Sequence, residues 1–200
     1  MQKRRLSPLA RIVFHVLDHC TTADAADPVV FSSYMGEIKR TQEILDALAC
    51  AEPVSPASFS LSVHNAISGL WSLIHDNKTP MIALAPTGGS PVAALIEAAG
   101  ILAEAKHEAA IVVIYEEDYP PFYEPFLNGP AAPYALALRL TPPDTNSDFV
   151  TADFKLDHIP SGDAVPLWQS NLDLIDVLTG DRDSVLIAEP QCSWCLERGR

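Results

Sequence analysis

The residues best placed to do chemistry lie in one stretch, Met81-Ile-Ala-Leu-Ala-Pro-Thr-Gly-Gly-Ser-Pro-Val-Ala-Ala-Leu. Its apolar start predicts a buried strand, Pro86 to Gly89 a tight turn, and the Ala-rich run beyond Ser90 a helix. In α/β proteins that junction is where nucleophiles and anions are placed, because the helix start offers unpaired N–H groups and positive dipole. Gly88-Gly89-Ser90-Pro91-Val92 matches four positions of the G-x-S-x-G nucleophile elbow, but Val92 stands where the last glycine should be. A serine hydrolase using Ser90 is therefore the enzymatic alternative. It would need a downstream imidazole, and only His107 and His158 follow Ser90. A phosphate cradle would want a Lys-Ser/Thr or a G-x-G-x-x-G, and the chain has neither here. The simplest local reading is that the glycines make the turn and Ser90 caps the helix.

Other reactive residues are sparser. Cys192-Ser-Trp-Cys195 has C-x-x-C spacing, yet no second pair accompanies it, so no metal and no cofactor is expected. His64 and Asn65 read as a hydrogen-bonding pair inside an apolar helix. Tyr119-Pro-Pro-Phe-Tyr-Glu-Pro-Phe reads as a rigid loop over a sheet.

The elements that must position these groups follow from periodicity. Leu6 to Leu17 carries a helical stripe with Ser7 as N-cap and Pro8 at the first helical position. Strands are expected over Pro28–Ser33, Pro80–Ala85, Ala109–Tyr115, Ala132–Leu140 and, last, Ser184–Ala188. Helices are expected over Glu37–Cys50, Ser60–His75, Ser90–Lys106 and Leu167–Leu178. Thr141 to Val165 reads as a meandering surface excursion. Strands without polar alternation, separated by helices, predict an α/β fold with a sheet covered on both faces.

Bulk properties exclude some functions. The chain has 200 residues, 48% hydrophobic and 20% charged, with a formal net charge of -13. Between Glu108 and Glu197 the only basic side chains are Arg139, Lys155 and Arg182, a surface that repels phosphate backbones, so no nucleic-acid partner is expected. No run approaches the roughly 20 apolar residues of a membrane helix, and no secretory signal is expected. Four cysteines at this length point to a reducing cytoplasm.

Several segments together resemble a known family. Val54-Ser-Pro, then Ser62-Val-His-Asn-Ala-Ile-Ser-Gly-Leu-Trp, the strand and turn, and the helix into Ala109-Ala-Ile-Val-Val-Ile resemble the N-terminal half of a β-ketoacyl synthase. Arg4-Arg-Leu-Ser-Pro-Leu-Ala-Arg and Ser32-Ser-Tyr-Met-Gly-Glu-Ile-Lys-Arg-Thr resemble the chain-length-factor-like proteins of aryl polyene and flexirubin-like pigment biosynthesis. The resemblance spans roughly Arg4 to Leu140. It implies half of a thiolase-like (ketoacyl synthase) fold over residues 1–140, with residues 141–200 as an extension packed on the same domain.

In that family a strand ends in Thr-Ala-Cys-x-Ser, and the cysteine carries the acyl chain. Laid on without gaps, its position falls on Gly88, and no cysteine lies between Cys50 and Cys192. The C-terminal half that supplies two catalytic histidines has no counterpart. A chain without the thiolate cannot be acylated by the family's route. The resemblance thus implies a non-catalytic chain length factor in a heterodimer, or a dimer of heterodimers, with a ketosynthase, meeting acyl carrier protein only through that subunit. By position it places the tunnel residues at Glu37, Arg40, Ile44, Ser58 and Phe59. The strand Met81, Ile82, Ala83, Leu84, Ala85, with Gly88 and Gly89, is the expected pairing edge. Half a fold should also expose apolar surface, in line with a mean hydropathy of +0.12. A regulatory or structural remnant of a condensing enzyme is the third alternative.

Overall fold

The structure, a computed structural model, describes residues 6–21, 27–142, 152–157, 166–189 and 193–198. Its first sheet is built from β1 (Val29–Ser32), β2 (Met81–Leu84), β3 (Ala110–Glu116) and β4 (Tyr134–Leu140) in the order β2-β1-β3-β4. β1 pairs parallel with both β2 and β3, and β4 is antiparallel to β3. Every residue of β1 and β3 is buried, as their unalternated sequences require, whereas all four residues of β2 at the sheet edge are only half-buried.

One face of this sheet is covered by α1 (Pro8–Cys20) and α4 (Ala66–His75). Ser7 caps α1 by accepting from the Ala10 N–H at 3.0 Å, and Pro8 follows at the first helical position. The stripe Leu9, Ala10, Val13, Phe14, Leu17 is buried against the sheet, where Phe14 meets the edge of Trp71 at 5.0 Å between centroids. The opposite face receives α5 (Val92–Ala103), which packs Ala94 and Ala98 on Val30, Val112 and Ile114.

β4 reads Ala-Leu-Ala-Leu for a structural reason. Ala135 and Ala137 face the α1 side, and Leu136, Leu138 and Leu140 the other. There they meet α6 (Leu167–Thr179) and a second, antiparallel sheet, ordered β5-β7-β6, of β5 (Ala152–Asp157), β6 (Ser184–Ala188) and β7 (Ser193–Arg198). Val92 and Leu95 of α5, Leu174 and Val177 of α6, Val185 and Ile187 of β6 and Leu196 of β7 form one core. The layers therefore run helix, sheet, helix, sheet.

Three expectations change. The helix expected over Ser60–His75 begins at Ala66, because residues 61–65 form turns in which the His64 Nε2 lies 2.7 Å from the Ser33 carbonyl oxygen. Side-chain bonds of this kind compete with helix. His64 is thus engaged ahead of the helix, and Asn65 takes the N-cap position without a side-chain cap bond. Part of the expected surface excursion is β5, which pairs with β7. Ser184–Ala188 is a strand but not the last, since β7 follows and pairs with it.

Candidate functional site

The turn between β2 and α5 lies where the sequence places it. β2 ends at Leu84, Pro86 is extended, Thr87–Gly89 make a single 3-10 turn, and α5 starts at Val92. Both glycines take left-handed conformations, Gly88 at φ +65° and Gly89 at φ +76°. Their surroundings differ. A Cβ on Gly88 would lie 2.8 Å from Leu167 Cδ1 and 3.3 Å from Leu167 Cβ, so the first residue of α6 fills that space. A Cβ on Gly89 would have its nearest neighbours, Glu116 Oε2 and Tyr34 Cβ, at 4.0 Å. Asn171, fully buried on α6, donates through Nδ2 to the Gly89 carbonyl at 2.9 Å and lies 2.8 Å from the Tyr134 hydroxyl. α6 thus lies over the turn and holds it at two points.

Ser90 is buried at 1% exposure, and its hydroxyl donates to the carboxylate of Glu189. Its oxygen accepts from the Val92 N–H at 3.3 Å, which satisfies one free donor of α5, although the residue in the N-cap position is Pro91. A serine nucleophile needs an imidazole on its hydroxyl, and here a carboxylate takes that place. His107 follows the far end of α5, about 18 Å of helix away. His158 and Cys192 fall outside the described residues. Cys195 is on β7, with its sulfur 3.8 Å from a carboxylate oxygen of Glu197.

Beside the turn, at the end of β3, lies a group of buried acids that the sequence reading passed over. Glu116 is 1% exposed and Glu117 6%. Glu116 accepts from the Tyr34 N–H at 2.7 Å, the Met35 N–H at 3.3 Å and the Ser33 hydroxyl at 3.3 Å. Glu117 accepts from the Lys39 N–H at 2.8 Å. Burial pushes both carboxyls up to about 7, against the lowering effect of these donors. Burial and the Glu116 charge also raise the hydroxyls of Tyr115, Tyr119 and Tyr134. The available signal was two glutamates continuing an unbroken apolar strand, where solvent-facing residues are usual. Among the described residues no three His, Cys, Asp or Glu side chains are placed to hold a metal ion.

The expected tunnel residues fall on α2 (Ile38–Ala49) and α3 (Pro56–Ser60), which pack on one another. Glu37 turns back into the domain, where it accepts from the Ser7 hydroxyl and pairs with Arg40 at 3.4 Å. Ile44 and Ser58 are half-buried, and Phe59 is 61% exposed. Among the described residues the expected pairing strand lies at the edge of the first sheet, and Leu73 on α4 and Ile96 on α5 are exposed.

A parallel-centred sheet between helical layers, with a strand-to-helix turn beside its edge, defines the class: the ketosynthase-type, thiolase-like α/β fold. The chain belongs to the family of the β-ketoacyl synthase N-terminal domain, which matches residues 1–197. That match runs on through the segment the sequence reading sets apart after Leu140. Among solved structures, the chain is similar to one in the complex of the ketosynthase ApeO with its chain length factor ApeC from Xenorhabdus doucetiae. The TM-score is 0.76 at 26% identity, covering 98% of this chain and 79% of that one. The ishigamide ketosynthase/chain length factor shares the fold at a TM-score of 0.55 and 14% identity, over 78% of this chain and 51% of that one. No curated protein matches the chain significantly.

Proposed function

We propose that this chain is a non-catalytic chain length factor that pairs with a catalytic ketosynthase and walls its acyl tunnel during polyene elongation of the aryl polyene type. The observation that carries this reading is the β2–α5 turn. A glycine stands where the family's cysteine is expected, and Leu167 occupies the space its side chain would need. A protein of this family without a thiol there has no atom to form the acyl thioester. Its contribution is then shape.

The edge position of β2 supports a ketosynthase as the partner. Among the described residues β2 pairs only with β1, and its four half-buried residues, with the exposed Leu73 on α4 and Ile96 on α5, suit strand pairing and apolar contact. α2 and α3 supply the wall in this proposal, through Arg40, Ile44, Ser58 and Phe59, with Glu37 fixing the start of α2, which carries the first two. Acyl carrier protein is met through the ketosynthase, and the complex works in the cytoplasm. Among the described residues no helix is long and apolar enough to cross a membrane.

Co-expression with a ketosynthase that keeps its cysteine tests the reading. The two chains are expected to purify together at 1:1, with covalent acyl label on the partner alone. Acyl transfer onto this chain, or turnover by it without a partner, would refute it.

A further inference from the structure

Burial along α2 is lopsided. Glu37 and Ile38 are buried, while no residue from Lys39 to Ala49 is, and Leu45 and Leu48 are 47% and 59% exposed. Apolar packing therefore does little to fix this helix on the domain beyond its start and its contact with α3. What fixes the start is a set of carboxyl-to-backbone hydrogen bonds from another element. Glu116 gathers the N–H groups of Tyr34 and Met35 and the hydroxyl of Ser33, and Glu117 takes the N–H of Lys39 in the first turn of α2.

We infer that Glu116 and Glu117 form a proton-operated clamp on the start of α2, closed while protonated and loosened once both are ionised. Two adjacent acids are shut away from water at the end of one strand, and a third, Glu37, faces them from α2 at 7% exposure. The nearby cations are already engaged: the Lys39 ammonium pairs with Asp118 and Arg40 with Glu37. Among the described residues no lysine or arginine forms an ion pair with either clamp carboxyl. The other groups facing them are Tyr34 beyond β1, Tyr119 in the loop after β3 and Tyr134 on β4, none of them cationic. Full ionisation therefore puts two charges where water does not reach them and sets Glu117 against Glu116, Glu37 and Asp118, with Lys39 offsetting Glu117 and Arg40 taken up by Glu37. A protonated carboxyl keeps a carbonyl oxygen to accept the same N–H bonds without that repulsion. Burial places the changeover near neutrality, where both groups titrate at about 7. Because the pair is coupled, the transition belongs to both acids together.

The clamp does not depend on any partner. Hydrogen exchange on the purified chain from pH 6 to pH 8.5, normalised to intrinsic rates, tests it. α2 amides are expected to lose protection by about tenfold over that interval, while those of α1 and β3 keep theirs. Glu116→Gln/Glu117→Gln, which mimics the protonated pair, is expected to abolish that pH dependence. A flat wild-type profile in α2, or the same fall in the double variant, overturns the clamp. Should the double variant not fold, Glu117→Gln alone decides: a shallower fall supports the clamp, and an unchanged one overturns it.

Discussion

Two strand ends of the first sheet, on either side of β1, are closed by different means. Beyond β2 the turn is closed by volume: Leu167 fills the space over Gly88, and Asn171 binds the Gly89 carbonyl. Beyond β3 the closure is made by ionisable groups, with Glu116 and Glu117 gathering backbone N–H donors out of reach of water. The first closure should be indifferent to pH and intolerant of any added atom. The second should tolerate neutral replacement and respond to protons.

The largest expected effect lies at the volume-closed end. Gly88→Cys, which puts a thiol where the resemblance places the family's cysteine, should destabilise the chain by about 3 kcal/mol, since it combines a positive φ with a Cβ 2.8 Å from Leu167 Cδ1 and 3.3 Å from Leu167 Cβ. Urea unfolding measures this, and a stable, rapidly alkylated Gly88→Cys protein would break the contrast. Next, Asn171→Leu removes the donor to the Gly89 carbonyl and should cost about 1–3 kcal/mol, by the same amount at pH 6 and pH 8.

At the acid-closed end the expected sign is opposite and pH-dependent. A carboxyl raised from 4.5 to about 7 adds stability that is full below its unfolded value and lost as the pH rises through about 7. The wild-type melting temperature should therefore fall from pH 5 to pH 8, once the titration of other groups is subtracted with Glu116→Gln as the reference. That variant should be more stable than wild type at pH 8 by roughly 1–2 kcal/mol, and no more stable at pH 5. Smallest of all for the isolated chain, Leu73→Glu on the exposed face beside β2 should change stability by under about 0.5 kcal/mol. Its effect should appear in the pull-down, as a lost ketosynthase. Retention of the partner at wild-type levels would move the interface elsewhere.

Much of this was legible in the sequence. Ser7-Pro8 and the stripe to Leu17 announce α1, the unalternated β1 and β3 announce a sheet covered on both faces, and Gly88-Gly89 announce the turn. What was not legible depends on contacts between distant segments. Nothing near Leu167 or Asn171 says that α6 lies over the turn, and nothing near Lys39 says that its N–H is taken by Glu117. Glu37 reads as a tunnel residue by alignment, yet its partner Ser7 is 30 residues away. Periodicity extends the expected helix back to Ser60, because apolar residues continue through Leu61 and Val63, whereas His64 is bonded to the Ser33 carbonyl just beyond β1. β5 and β7 were hidden because each needs the other to be a strand at all.

The placement of β1 carries a consequence for the order in which the chain can assemble. Its hydrogen-bonding neighbours arrive late: Val29 pairs with Met81 on one side and Ile111 on the other. Neither pairing can form by a local hairpin, so each must close a long loop first, which slows folding. During synthesis the Val29-Val-Phe segment waits with both sides open until β2 has left the ribosome, and with one side open until β3 follows. A chaperone or a neighbouring nascent subunit has its widest opportunity in that interval.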